Sequence, residues 1–350
     1  MIKNAYEQQT QRNRYILSAL ALAIMVCAYI ALNTGSAQAH IGSVLKTLIL
    51  QGDKFADIVI WKIRLPRILG GIVAGAGLAV SGCIMQTSLK NPIASPSTLG
   101  ISNAAAFGAN LSIVLAGEGR YNSSSANPIF IENPYMVSIF AFSFSMIAMT
   151  WILALARNRG FTPESVVLAG VAIGSLFTAG STLLQYFADD VQIASMVFWT
   201  FGDLGRITWK ELGIMSITVA AGTLYFLFNR WNYNALDSGE ATAKSLGVNV
   251  ENLRFTGMFL ASLITAVTVS FVGIIGFVGL IAPQIMRRLT GEDHRLLIPS
   301  AVLTGSLILL VSDTAARTII APIVLPVGTI TSFLGAPLFL YLLMKGAKQK

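Results

Sequence analysis

The sequence predicts an all-α, polytopic membrane protein of about ten transmembrane helices, and three observations carry that prediction. Of its 350 residues, 54% are hydrophobic and only 11% charged, against roughly 25% charged in soluble domains, and the mean hydropathy is +0.69. The second is the stretch Arg64–Gly100, RLPRILGGIVAGAGLAVSGCIMQTSLKNPIASPSTLG, around which the chain is organised. From Ile68 to Leu89 it runs 22 residues without a charge, about 33 Å as a helix, and a bilayer core takes roughly 20 such residues. The third is that the same grammar of apolar block, small-residue interior and Pro/Gly or charged punctuation recurs to the C-terminus. A soluble chain of this length would carry far more charge.

The elements follow in order. Residues 1–15 are polar, with Lys3, Arg12 and Arg14, and read as a cytoplasmic N-terminal segment. The apolar run Tyr15–Leu32 is the first span. It ends near Gly35-Ser36-Ala37-Gln38-Ala39, which looks like a cleavage region, but a long run at the head of a membrane protein favours an uncleaved span. Residues 41–50 suggest a short amphipathic helix. Span 2 covers 66–87, span 3 follows Pro96 to about 116, and 117–134 is a polar loop. Span 4 covers 135–155. Thr162-Pro163-Glu164 supplies a cap, a first-turn proline and an acid, opening span 5 to about Tyr186. Residues 189–205, near Trp199 and Trp209, read as an interfacial helix and turn. Span 6 covers 212–229.

Residues 230–254 form a long polar segment containing GEATAKSLGV, a short helix from Ser238 stopped by Gly247. No charge then appears over 32 residues until Arg287, about 48 Å as one helix. That is too long for one crossing, and Gly273, Gly276 and Gly279 offer breaks. Reading two spans there puts 15 of the 24 Lys and Arg on one side, as the positive-inside rule requires. Span 9 covers 296–312. Asp313–Pro326 is an outside segment with Asp313 and Arg317 at i,i+4 spacing, and span 10 covers 327–344. Both termini fall in the cytoplasm. The blocks 74–86 and 169–185 share small residues three and four apart, which reads as close helix packing, with an internal duplication as the alternative.

The net charge of +8 does not imply nucleic acid, because the basic residues are scattered singly or in pairs between apolar blocks. Pairs such as Arg157/Arg159 and Arg287/Arg288 read as topological anchors. Cys27 and Cys83 lie in apolar blocks, and His40 and His294 are the only histidines, so neither a disulfide framework nor a metal site is indicated. The chain has no GxxxxGK[ST], HExxH, CxxC or nucleophile elbow, and no catalytic residue is assigned. Span interiors also lack the ionisable relay that a proton-driven carrier buries, which argues for energy supplied from elsewhere.

Several segments together carry a resemblance. They are RLPR at 64–67, Gln86, Asn91-Pro92-Ile93-Ala94, Pro96, Leu99-Gly100, LAGVA at 168–172, Trp199 with Gly202, and Gly239-Glu240 to Leu246-Gly247. The last portion comprises GIIGFVGLIAPQIMRRLTGEDHRLLIPSAVLTG, Asp313, Arg317 and LPVGTITSFLGAPLFLYLL. Spread over most of 61–344, they resemble the permease subunits of iron-siderophore, haem and cobalamin ABC importers, the FecCD/BtuC-like permeases. Pro283-Gln284 departs mildly from the Pro-His or Pro-Asn common in relatives.

The resemblance implies a type II importer permease, with 1–350 as one transmembrane domain in a prokaryotic cytoplasmic (inner) membrane. It pairs with a second permease subunit, either another copy or a close paralogue. Two cytoplasmic ATPases carry ATP and Mg, and an extracytoplasmic binding protein delivers substrate. The chain itself binds no cofactor. Gly239, Glu240, Ala241, Leu246 and Gly247, within the cytoplasmic segment 230–254, correspond to the ATPase-coupling element. Arg64, Arg67 and Arg317 correspond to the binding-protein docking set; the alternative reading makes Arg64 and Arg67 interface anchors and pairs Arg317 with Asp313. Asn91, Pro92 and Pro96 suit a hinge or gate, and equally a plain turn. Span 5, with Ser175, Thr178, Ser181 and Gln185, is a candidate path face. The expected cargo is an iron(III)-siderophore, with cobalamin or haem as alternatives. The rival class is an ATPase-independent secondary transporter or channel. A membrane-embedded enzyme or assembly factor is disfavoured by the lack of an intramembrane catalytic cluster.

Overall fold

The computed structural model describes residues 2–34, 57–116, 134–158, 160–321 and 323–347. The expected amphipathic helix at 41–50, the small-residue stretch 35–39, most of the polar loop 117–134 and Arg159 lie outside the described residues. Within them the chain forms thirteen α-helices and no strand. These are α1 (Ile2–Asn33), α2 (Leu65–Ser88), α3 (Ile101–Ala116), α4 (Pro134–Arg157), α5 (Pro163–Phe187), α6 (Asp190–Thr200) and α7 (Trp209–Phe228). They continue with α8 (Arg230–Asp237), α9 (Glu240–Ser245), α10 (Val250–Val272), α11 (Val278–Thr290), α12 (His294–Thr318) and α13 (Val327–Ala347). A π-helical turn, Ile58–Arg64, leads into α2, and a 3-10 turn, Leu204–Arg206, precedes α7.

Helix α2 is the hub, in contact with α7, α10, α11 and α12. Every residue from Ala74 to Ser88 is buried, because its small side chains let neighbouring backbones approach closely. At Gly82 the approach is tightest: a Cβ there would be built onto the carbonyl of Gly279 on α11. Only glycine fits. Gly75 meets Gly305 of α12 in the same manner.

Among the described residues seven helices are long and apolar enough to cross a bilayer: Gln11–Asn33, Ile58–Ser88, Tyr135–Arg157, Pro163–Phe187, Trp209–Phe228, Val250–Val272 and His294–Thr318. The apolar stretches Ile101–Leu115 and Val327–Tyr341 are shorter, and α11 has 13 residues. Length alone therefore supports seven of the ten expected spans.

The uncharged block after Arg254 does break, at Gly273 (φ +77°), and α11 starts after Phe277 (φ +65°). Protein encloses the non-helical backbone between them: Gly202 and Gly328 close on the Ile274 carbonyl, where a Cβ on either would come within 2.6 and 2.5 Å of its oxygen. Asp203 N–H donates to the Val272 carbonyl (2.8 Å), and Gly328 N–H donates to that of Phe201 (3.2 Å). Irregular backbone at membrane depth is tolerated only when enclosed in this way. Helix α5 begins at the Thr162 cap, whose side chain accepts from Ser165 N–H. Residues 189–205 form α6, with an Asp189/Gln192 capping box, and the 3-10 turn.

Three boundaries differ from expectation. Helix α12 continues six residues past 312, to Thr318, because Asp313 and Arg317 meet internal partners instead of water. The polar segment 230–254 resolves into α8, α9 and the first turns of α10, so Arg254 belongs to a long helix. Helix α9 starts at Glu240 rather than Ser238, since Gly239 has φ +122°.

Candidate functional site

The helices alternate in direction, and their charged residues gather at two opposite ends. At one end lie α8, α9, the N-termini of α5, α10 and α12, and the C-termini of α2 and α11. Helix α9 is six residues long, bracketed by Gly239 (φ +122°) and Gly247 (φ +82°). Ala243 is buried, whereas Ala241, Thr242, Lys244, Ser245 and Leu246 face outward, Leu246 with 67% of its surface exposed. Expected coupling residues Gly239, Glu240, Ala241, Leu246 and Gly247 are thus on one small projecting element. The Glu240 carboxylate accepts from Arg254 Nη2 (2.5 Å), a hydrogen bond that holds its pKa below the usual carboxylate range. A cleft of about 420 Å³ runs beside α9, with Phe161, Lys244, Glu251 and Arg254 in its wall.

Next to it, a polar cluster joins α2, α8 and α12. His294, fully buried, lies between Thr87 Oγ1 (2.9 Å from Nε2) and Asn234 Oδ1 (3.0 Å from Nδ1). An amide oxygen only accepts, so Nδ1 carries the proton and Nε2 accepts from Thr87. Asn234 Nδ2 donates to Asp293 (2.9 Å). Burial opposes ionisation of Asp293, but hydrogen bonds from Arg295 and Asn234 outweigh it and hold the pKa at about 2. Asp237 has the opposite balance: burial raises its pKa to about 6, and Oδ2 has no hydrogen-bond partner, lying 3.5 Å from His294 Nδ1.

The candidate hinge residues Asn91, Pro92 and Pro96 form a densely bonded connector from α2 to α3. Asn91 Oδ1 accepts from Ile93 N–H (3.1 Å), an Asx turn. The Pro96 carbonyl accepts from Ile101 N–H (3.2 Å). Gln284 Nε2 donates to both the Pro92 carbonyl (3.0 Å) and Gln86 Oε1 (3.1 Å), so the departure at Pro283-Gln284 ties α11 to this connector.

At the opposite end, Arg67 and Arg317 come together around one carboxylate, with Arg64 beside them, bonded to the end of α1. Asp313, 1% exposed, accepts from Arg67 Nε (2.9 Å) and Nη2 (2.8 Å) and from Arg317 Nε (3.1 Å). Arg317 also donates to the carbonyls of Thr34 and Ala31, and Arg64 to that of Leu32. Arg67 lies 3.7 Å from Asp203. The cluster knits the C-termini of α1 and α12 to the start of α2 and the 3-10 turn, and its guanidinium groups are largely buried.

On α5, Ser175 and Thr178 are exposed. Thr178 Oγ1 accepts from Asn103 Nδ2 of α3 (3.0 Å), and Ser181 Oγ is unpartnered. Among the described residues no group of three or more His, Cys, Asp or Glu side chains converges as metal ligands.

The model of the FecCD transport family matches residues 22–345. The chain belongs to that family. Its relatives include the "Putative ABC transporter permease protein MJ0087" of Methanocaldococcus jannaschii, 52% identical and covering 99% of each chain. The hemin transport system permease protein HmuU of Yersinia pestis is 38% identical, over 83% of this chain and 85% of that one. The Fe(3+)-citrate import system permease protein YfmE of Bacillus subtilis is 34% identical, over 97% and 98%. Among solved structures, "An inward-facing conformation of a putative metal-chelate type ABC transporter" superposes with a TM-score of 0.83 at 29% identity, covering 95% of this chain and 99% of that one. The FecCD match spans both the α9 end and the arginine cluster.

Two residues that organise these sites were not assigned a role from sequence. Arg254 appeared only as the last charge of a polar segment, and His294 as one of two isolated histidines. An arginine near the start of a long apolar run was the available signal for the first; for the second there was none.

Proposed function

We propose that this protein is the membrane-spanning subunit of a binding-protein-dependent ABC importer, carrying an iron(III)-siderophore across a prokaryotic cytoplasmic (inner) membrane. Transport proceeds by alternating access, driven by ATP and Mg on two partner ATPases. The observation that carries this reading is α9: a short helix between two glycines of positive φ, presenting exposed Leu246 at the end where α2, α5, α10 and α12 converge. The outward face of this short helix, Ala241, Thr242, Lys244, Ser245 and Leu246, together with the cleft of about 420 Å³ beside it, is the surface offered to a protein partner. In this reading the α9 end and both termini are cytoplasmic. The helices α3, α11 and α13 complete ten crossings, their length made up by burial against longer neighbours. A second permease subunit completes the path, with the α5 face carrying Ser175, Thr178 and Ser181 as its candidate wall.

Family membership supports the chelate class, and the hemin and Fe(3+)-citrate relatives support an iron-bearing cargo. Vitamin B12 permeases at 32% identity keep cobalamin as the alternative. The binding protein docks on the external end. Its carboxylates would have to compete with Asp313 for Arg67 and Arg317, while Lys62 and Lys210, exposed at the same end, are open to steer the approach.

The test is co-expression with a cognate ATPase and binding protein, native mass measurement of the extracted complex, and uptake by proteoliposomes offered ferric siderophore, haem or cobalamin. Two permease and two ATPase copies with ATP-dependent ferric-siderophore uptake is the expected result. Haem or cobalamin uptake would reassign the cargo. A folded chain that never assembles with an ATPase, yet transports, would establish the secondary-carrier or channel class instead.

A further inference from the structure

We infer that Arg254 is the positioning residue that transmits movement of α9 into the membrane-spanning helices. The inference rests on α9 being the ATPase-coupling element. Helix α9 has little grip on the rest of the molecule. It touches chiefly α8 and α10, Ala243 is its buried residue, and a glycine of positive φ frees the backbone at each end. A push on this helix would be lost in those two turns unless a side chain carried it further.

Arg254, 3% exposed, supplies that link. Its Nη2 donates to Glu240, the first residue of α9 (2.5 Å). Its Nε donates to the carbonyl of Ser88, the last residue of α2 (2.8 Å). Its Nη1 donates to the carbonyl of Phe161 (3.1 Å), which lies two residues before α5 and holds a left-handed φ of +52°. The last carbonyls of a helix lack intrahelical partners, so the Ser88 bond also satisfies an orphaned group of α2. One planar guanidinium thus joins α9, α2, the α4–α5 turn and its own helix α10. Its donors leave a rigid fork in fixed directions, so displacing Glu240 drags Ser88 and Phe161 along with it. Those two carbonyls sit at the cytoplasmic ends of the hub helix α2 and the candidate path helix α5. A lysine keeps the charge but not the fork.

The test compares wild type, Arg254→Lys and Glu240→Gln in the reconstituted complex, recording ATP hydrolysis and substrate uptake on the same vesicles. The expected result is that Arg254→Lys, which lies outside the ATPase-contacting set, assembles with the ATPase and hydrolyses ATP within about twofold of wild type, while Glu240→Gln is read only as uptake per ATP hydrolysed, a ratio that weakened ATPase contact does not change. Uptake per ATP falls about tenfold for Arg254→Lys, within the usual span of coupling between sites, and by less for Glu240→Gln. Glu240→Gln lies on a half-exposed residue, so it reports on the link even if the arginine variant fails to fold. Hydrolysis and uptake falling in parallel, or an unchanged ratio in Glu240→Gln, would overturn the inference and leave the cluster a purely structural one. A wild-type complex without ATP-dependent uptake would overturn the importer reading itself, and this inference with it.

Discussion

Removing the Asp313 carboxylate should unbalance the arginine cluster more than any single change among the arginines. Asp313→Ala deletes the acceptor of three short hydrogen bonds from Arg67 and Arg317 at a position 1% exposed. Breaking a buried ion pair from one side costs ~3–5 kcal/mol, because the remaining charge is left desolvated. Two arginines lose their partner here, but the cost does not double. Arg317 keeps the Thr34 and Ala31 carbonyls, and Arg67 keeps Asp203, a half-exposed partner at 3.7 Å worth about 0–1 kcal/mol. The expected loss is therefore ~3–5 kcal/mol, read from unfolding of the detergent-solubilised protein by tryptophan fluorescence. The triple change Asp313→Leu, Arg67→Met, Arg317→Met removes charge and partner together and should recover most of that loss. A loss below about 1 kcal/mol for Asp313→Ala, or a triple variant no more stable than it, would refute an internally closed charge cluster.

Other consequences follow from the same structure. Gly82→Ala drives a methyl onto the Gly279 carbonyl and should cost ~1–3 kcal/mol in the unfolding assay. Gly213→Ala, where a Cβ meets nothing within 4 Å, should be neutral or stabilising. Asp237 binds its proton more tightly when folded, at about 6 against an ordinary 3.8. Its contribution is therefore fully present below pH 3.8 and lost as pH rises through about 6. Asp237→Asn should flatten stability over that window and exceed wild-type stability at neutral pH, and a variant less stable there would show that the carboxylate is held by attraction. Leu246→Asp should detach the ATPase without lowering the unfolding midpoint, as measured by co-purification, and full retention would remove Leu246 from the contact.

The features legible in the chain alone are local ones. Uncharged runs of span length marked the long helices, Thr162-Pro163-Glu164 marked the start of α5, and Gly247 the stop after α9. The glycines from 273 onward marked the break before α11. Each depends on neighbours within a turn or two, so each is written in consecutive residues. Arg64, Arg67 and Arg317 were grouped as a set only by the family resemblance of the sequence. What they touch was not legible there. The Arg67–Asp313 pair spans 246 positions, and the Arg254 bonds to Ser88 and Phe161 span 166 and 93. Only the packing of α2 against α10, α11 and α12 brings those groups together. The same packing lets α12 run on past Asp313, because a charge that looks like a helix end in the sequence can be buried once Arg67 from α2 joins Arg317, one turn further along α12, in neutralising it. Apolar periodicity says which residues leave water, whereas the partner of a buried charge is decided by which helices cross at glycine-sized contacts.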